Sequence, residues 1–163
     1  MSFTLRAAVA ADVPQLHALI LALAEFEQLT HLVVATADDL SAALFGPSAR
    51  VHAMVAESAE DARNLLGFAL YFHNYSTFLG RSGLYLEDLF VLPAYRRRGI
   101  ARALLKRLAA QAVSEGCGRF EWSVLDWNVQ AIAFYEGLGA SVLPDWRIVR
   151  VTGPALSALA EAL

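Results

Sequence analysis

The stretch Val91-Leu92-Pro93-Ala94-Tyr95-Arg96-Arg97-Arg98-Gly99-Ile100-Ala101 carries an apolar run into a helical pattern through a short basic turn, and so sets the order strand, turn, helix in mid-chain. The first turn of a helix leaves backbone N–H groups without internal partners, and the aligned peptide dipoles place partial positive charge there. Anions are stabilised at such a place. Gly99 and the small Ala101 let a ligand approach the backbone, while Arg96, Arg97 and Arg98 add full charges around the same turn. These residues point to a phosphate-bearing ligand, against the plainer alternative of a surface turn with solvated arginines.

The surrounding pattern alternates strands and helices. Phe3 to Val9 reads as a strand, followed by a helix from Asp12 to about Gln28. There Leu16, Leu19, Ile20, Leu23 and Phe26 recur at helical spacing, Pro14 sits in the first turn, and Asp12 and Gln15 have capping-box spacing. A shorter helix is expected from Ala37 to Phe45, stopped by Gly46-Pro47. Val51 to Glu57, Leu65 to Asn74 and Leu84 to Val91 are strand-like, joined by loops at Ser58 to Asn64 and Tyr75 to Gly83, and this close succession predicts antiparallel neighbours. Ile100, Leu104 and Leu108 mark a helix from Ile100 to Glu115, ended by Gly116 and Gly118. Arg119 to Val124 is the next strand, and the helical crossover makes it parallel to the strand before the basic turn. Asn128 is placed to cap a helix reaching Leu138, with Gly139 as its stop. Trp146 to Thr152 reads as a last strand and Pro154 to Leu163 as a helical tail. Together these predict an α/β chain, one domain over 1–163, whose mixed sheet carries helices on both faces.

Composition narrows the function. Hydrophobic residues make up 57% of the 163 residues and charged ones 18%, as expected of a chain with a substantial core. The net charge of -3 conceals an asymmetry: six of the 13 basic residues (Arg96, Arg97, Arg98, Arg102, Lys106 and Arg107) fall in a window without acids, leaving seven against 16 acidic residues elsewhere. A nucleic-acid surface would need a wider positive stripe, so a small polyanion is the better partner for the patch, and a cationic second substrate suits the acidic remainder. Nucleic-acid binding is not expected. The lone Cys117 excludes an intrachain disulfide and suits the cytoplasm; no leader or membrane segment is legible, since Leu19 to Ala24 is too short to span a bilayer. His17, His31, His52 and His73 have no metal-like spacing, so no metal is expected, and no Ser/His/Asp set is legible.

The run Arg96-Arg97-Arg98-Gly99-Ile100-Ala101 resembles the acetyl-CoA signature R/Q-x-x-G-x-G/A of the GNAT superfamily of N-acetyltransferases. Leu84-Tyr85-Leu86-Glu87-Asp88-Leu89-Phe90-Val91, Asp126-Trp127-Asn128, Phe134-Tyr135 and Gly139-Ala140 are similar to its spermidine/spermine and thialysine branch, as is Leu23-Ala24-Glu25-Phe26-Glu27 more loosely. The resemblance implies a mostly antiparallel sheet of about six to seven strands with helices on both faces. It also implies a strand before the signature that splays from its parallel neighbour to admit the pantetheine arm. Backbone groups of Leu89, Phe90 and Val91 would then bond that arm, and Arg97, Arg98, Gly99, Ile100, Ala101 and Arg102 would cradle the pyrophosphate, with Arg96 as the motif position.

The resemblance also implies roles in acetyl transfer. Tyr135 matches the acid that protonates the departing CoA sulfur, and a phenol with its ordinary pKa near 10 holds its proton at neutral pH. The alternative is a packed helix tyrosine with a local partner. Glu87 matches the glutamate that helps remove the amine proton, through water, because an ordinary carboxylate is a poor direct base for an ammonium. Glu87 and Asp88 are adjacent and point to opposite faces unless a bulge intervenes, so one of them faces substrate. Asn128 matches a contact to the cofactor arm, compatible with its capping role. Phe26 and Glu27 match an aromatic and acidic pair beside the amine groove, although Phe26 equally completes an apolar helix face.

The loop Asn74-Tyr75-Ser76-Thr77-Phe78-Leu79-Gly80 lacks the acidic and tryptophan character of polyamine enzymes, and Leu143-Pro144-Asp145-Trp146 is shorter than their acidic turn. A lysine-like amine or thialysine is therefore as good an acceptor as spermidine. Two further readings remain: an enzyme acting on protein or peptide amines, and a non-catalytic acyl-CoA binding or sensing domain. The presence of both Gly99 and Tyr135 favours an enzyme. Cys117, flanked by glycines beyond a helix end, is a poor nucleophile, so transfer is expected to be direct. The resemblance further implies a homodimer.

Overall fold

The computed structural model describes residues 2–61 and 64–161. The elements run β1 (Phe3–Ala7), α1 (Val13–Phe26), α2 (Ala37–Phe45), β2 (His52–Ser58), β3 (Leu65–Ser76), β4 (Arg81–Val91), α3 (Ile100–Ser114), β5 (Phe120–Trp122), α4 (Val129–Glu136) and α5 (Pro154–Glu161). They fall into two compact units, one ending at Ser123 and the other starting at Val124.

The first unit is a single sheet with strand order β1-β2-β3-β4-β5. The first four strands are sequential antiparallel neighbours, and β5 joins parallel to β4 after the α3 crossover. The short connections from β2 to β3 and from β3 to β4 leave only antiparallel pairing there, whereas a parallel strand needs a long return path. Leu16 and Leu19 of α1 and Leu44 of α2 bury one face of the sheet with Val55, Phe68, Leu70 and Phe90. The other face takes α3: Tyr71, paired with Leu86, donates its hydroxyl to Gln111 Oε1 at 3.0 Å. Ile100, Leu104, Leu105, Leu108 and Ala112 are the buried stripe of that helix.

Among the described residues there are five strands rather than the expected six to seven. Trp146 to Thr152 forms no strand; Trp146, Ile148 and Val149 are exposed there. Its alternating apolar pattern is real, but a strand exists only where another edge accepts its hydrogen bonds. The expected loop at Tyr75 to Gly83 shrinks to a turn, because β3 runs on to Ser76 and β4 begins at Arg81. Residues 62 and 63 of the loop after β2, and the last two of the helical tail, lie outside the described residues. Among those described, no helix is long and apolar enough to cross a membrane.

The starts of the first two helices behave differently. Thr36 starts α2 with a reciprocal cap, its Oγ1 accepting from the Asp39 N–H at 3.2 Å while Asp39 Oδ2 accepts from the Thr36 N–H at 2.9 Å. Asp12, expected to cap α1 with Gln15, does not cap it. Gln15 Oε1 accepts the Leu65 N–H at 3.1 Å. The buried Asp12 carboxylate instead takes two bonds from Arg6, at 2.6 and 2.9 Å, and one from the Val9 N–H at 2.8 Å. Arg6 also donates to Glu57 of β2, so this guanidinium ties β1, β2 and the entry to α1 together.

The hydrogen bonds from Arg6, then that from Val9, hold the Asp12 carboxyl below the usual aspartate range, and the hydrogen bonds to Asp12, then Glu57, raise Arg6. A depressed acid stabilises the fold above its unfolded pKa and loses that contribution as the pH falls. Asp12→Ala is expected to cost about 1–3 kcal/mol at neutral pH, or roughly 2–4 °C in Tm per kcal/mol. Thermal melts across pH should show the difference from the parent shrinking below about pH 4; a difference that is the same at pH 3 and pH 7 would exclude the ion pair as its source.

Candidate functional site

β4 pairs with β3 from Arg81 to Val91, but with β5 only at Leu84, Tyr85 and Leu86. From Glu87 to Val91 its second edge has no strand partner among the described residues. Leu89, Phe90 and Val91 lie on this open stretch, where main-chain groups without a strand partner suit an extended ligand that adds like a short strand.

After Val91 the chain makes one 3-10 turn, Pro93–Tyr95, and enters α3. Arg97 and Gly99 both have positive φ, at 62° and 83°. Gly99 is the N-cap of α3 and offers no side chain to its first turn, and a Cβ built on it would meet nothing within 4 Å. The open space at Gly99 thus lies beside the first-turn N–H groups of a helix N-terminus, at Ile100, Ala101 and Arg102, an arrangement that suits an anion. Arg97, Arg98 and Arg102 are exposed around it, whereas the Ile100 side chain is buried and leaves only its main chain for a ligand. A non-glycine residue held at positive φ, as Arg97 is, costs about 1–2 kcal/mol, and such strain collects at working sites.

Arg96 does something else. Its guanidinium lies 4.5 Å from the ring centroid of Phe26 and 5.5 Å from that of Phe90, and its Nε donates to the Val91 carbonyl at 3.0 Å. The motif arginine thereby fastens the turn to β4 and to the end of α1. The Phe26 ring, expected beside the amine, carries this guanidinium on one face.

A bulge interrupts β4 just past its last pair with β5. Leu70 opposes Asp88 while Tyr71 opposes Leu86, leaving Glu87 as the extra residue. Asp88 consequently shares the face of Phe90, beneath α1 and α2, while Leu86 shares the face of Tyr71, beneath α3. Burial, followed by the neighbouring charges of Glu87 and Glu27, pushes the Asp88 pKa up to about 6. Glu27, the C-cap of α1, is half-buried and raised by that burial. Glu87 is exposed. The three carboxylates form one acidic group next to the open edge of β4. Sequence reading gives the catalytic role to Glu87 and leaves Asp88 only as its neighbour on the strand, because the bulge that turns Asp88 inward leaves no local signature beyond two adjacent acids.

On the same face, a cavity of about 300 Å³ lies between α1, α2 and β3, lined by Ile20, Val33, Leu40, Val51 and Leu70 with His17 and Asp39 at its polar points. Leu70 is the strand partner of Asp88.

The remaining predicted residues belong to the second unit. Asn128 caps α4 as expected, its Oδ1 accepting the Ala131 N–H at 3.2 Å. Tyr135 is half-buried two turns further along, its ring 5.4 Å from that of Phe134. Gly139, at φ 92°, ends the helix, and the Ala140 N–H returns to the Tyr135 carbonyl at 3.1 Å.

Residues 17–140 match the model of the acetyltransferase (GNAT) family. The chain is 38% identical to the L-ornithine N5-acetyltransferase NATA1 of Arabidopsis thaliana over 95% of its length and 86% of that protein. It is 37% identical to the thialysine N-epsilon-acetyltransferase of Mus musculus over 98% of both. Among solved structures, an integron cassette protein from the mobile metagenome of V. cholerae superposes with a TM-score of 0.81 at 27% identity, covering 99% of both chains. An aminoglycoside acetyltransferase from a soil metagenome shares the fold at 15% identity and a TM-score of 0.76, over 92% of this chain and 95% of that one. The signature turn, the parallel β4 and β5 pair and these relatives agree: the chain belongs to the GNAT family of acetyltransferases.

Proposed function

We propose that this acetyltransferase passes the acetyl group of acetyl-CoA directly to the primary amine of a small cationic acceptor, a polyamine, thialysine or lysine-like molecule, with residues 1–163 working as one domain. The observation that carries this reading is the uncapped, left-handed Gly99 turn set at the end of an open strand edge. The relatives' names, ornithine and thialysine acetyltransferases, support the acceptor class.

Backbone groups of Leu89, Phe90 and Val91 would hold the pantetheine arm, with Asn128 as a further contact. The N–H groups from Arg97 to Arg102 would hold the pyrophosphate, with the exposed arginines adding attraction. Acetyl-CoA supplies an acetyl group already activated as a thioester. Glu27, Glu87 and Asp88 attract the ammonium. Asp88, which exchanges its proton near pH 6, is the group suited to taking the ammonium proton, and exposed Glu87 orders the water between them. As the N–C bond forms and the C–S bond breaks, the Tyr135 hydroxyl gives its proton to the departing sulfur. Cys117 lies beyond the far end of α3, about 20 Å along the helix from Gly99, consistent with direct transfer. The cavity beside Leu70 contains one carboxylate, Asp39, already engaged in capping α2.

Thiol release from acetyl-CoA, assayed with ornithine, thialysine, spermidine and a lysyl peptide, tests the reading. Turnover is expected with the small amines. Tyr135→Phe should lower kcat by about 10²-fold or more while leaving the Kd for CoA unchanged. Gly99→Val should instead weaken CoA binding, because a β-branched residue is strained at this φ and fills the open space. Full activity in the first variant, or full affinity in the second, would refute the corresponding role.

The raised Asp88 pKa makes a second test. The charged form is disfavoured in the folded protein, so Asp88 destabilises the fold as pH rises from about 4 toward 6, while kcat/KM rises as it becomes a base. Asp88→Asn should abolish the ascending limb near pH 6, slow turnover, and raise stability at pH 8 by about 1–3 kcal/mol. An ascending limb retained in the variant would assign it to another group.

We further propose a cytoplasmic homodimer that binds neither nucleic acid nor membrane. Light scattering is expected to return twice the chain mass, and a single chain mass would overturn the dimer.

A further inference from the structure

The end of α3 remote from the signature turn gathers three ligating side chains from two elements. His73 stands on β3, while Glu115 and Cys117 follow the last turn of α3, and their ligand atoms all lie within 4.8 Å of one another. The cluster is about 20 Å along the helix from Gly99. It has no role in the transfer just described.

Its backbone is held firmly. Gly116 is left-handed at φ 69°, the Gly116 N–H bonds the Val113 carbonyl at 3.1 Å, and the Cys117 N–H bonds that of Ala112 at 2.9 Å. This pair of bonds is a Schellman motif, which sets Glu115 and Cys117 on either side of one glycine. The Gly118 N–H then bonds the Ser82 carbonyl of β4 at 2.8 Å. The side chains are oriented too. Buried Tyr71 donates to Gln111 Oε1 at 3.0 Å, and Gln111 Nε2 donates to Glu115 Oε1 at 2.8 Å, which leaves Glu115 Oε2 facing His73 Nε2 at 2.6 Å. The His52 ring packs edge-on to that of His73, with centroids 6.2 Å apart. Outer contacts of this kind orient the donors of metal sites.

We propose that His73, Glu115 and Cys117 bind a zinc ion, with water in the fourth position. One imidazole nitrogen, one carboxylate oxygen and one thiolate sulfur form a mixed set that zinc accepts and that calcium or magnesium, which take oxygen donors, do not. The thiol releases its proton to solvent on binding, and the two anionic donors then balance the charge of the ion. Tetrahedral zinc separates such donors by about 3.3–3.6 Å. The His73 to Glu115 contact therefore opens by under about 1 Å, and the sulfur closes in. His73 and Glu115 are exposed, so the ion reaches them without any opening of the fold. Bound there, it clamps the end of α3 to β3.

Cobalt(II) is the spectroscopic probe, added to the full chain freed of any affinity tag and then displaced by zinc. The expected result is one equivalent of tetrahedral cobalt with a thiolate charge-transfer band, bleached by zinc. Cys117→Ser should remove the charge-transfer band, and His73→Ala should weaken zinc binding at least tenfold. Both variants should keep the acetyl-transfer rate of the parent in metal-free buffer. Only the weak spectrum of aqueous cobalt with the parent protein would overturn the proposal, as would unchanged spectra and affinities in both variants. Should a variant fail to fold by circular dichroism, the parent spectrum decides alone.

Discussion

β4 is hydrogen-bonded along its whole length on one side and over three residues on the other, and the first unit is arranged around that mismatch. The bulge at Glu87 falls immediately after the last pair with β5. A bulge adds twist and redirects the side chains that follow it. One irregularity therefore ends the pairing with β5, frees the edge from Glu87 to Val91, and turns Asp88 under α1 and α2. A regular β4 would place Asp88 and Leu86 on the same face, and the acidic group would not form.

Arg96 links the two sides of this arrangement. Its guanidinium is in contact with Phe26 of α1, Phe90 of β4 and the Val91 carbonyl, so one side chain joins the helix that carries Glu27 to the turn that leads into α3. A lysine could hold only a fraction of these contacts, because a planar guanidinium stacks on rings and donates in its own plane at once. The signature arginine thus acts through the shape of the turn, and the charge around the turn comes from its exposed neighbours.

What could be read from the chain was whatever is decided locally. Leucine spacing placed α1 and α3, Gly46 and Gly116 ended their helices, Asn128 capped α4, and the order of apolar runs predicted three antiparallel neighbours and one parallel partner. What could not be read depends on residues distant in sequence. Trp146 to Thr152 alternates like a strand but finds no edge. Arg96 looked like a ligand contact until Phe26 and Phe90 came to lie against it. Asp88 needed the bulge, and His73 needed the end of α3. Asp12 had the right spacing for a cap, but Arg6 and the Val9 N–H compete for its carboxylate and win with three bonds.

An unpaired strand edge is a template on which a neighbouring molecule can build, and exposed edges of this kind drive aggregation. Here the open edge is five residues long, and β5 ends alongside its lower end, where Trp122 pairs with Leu86. Pro93, which has no N–H to donate, follows two residues after its upper end, and three consecutive arginines come next. A foreign strand pairing there would meet β5 at one end and charge at the other. Only this short stretch of β4 is left to template another chain, which limits edge-to-edge assembly.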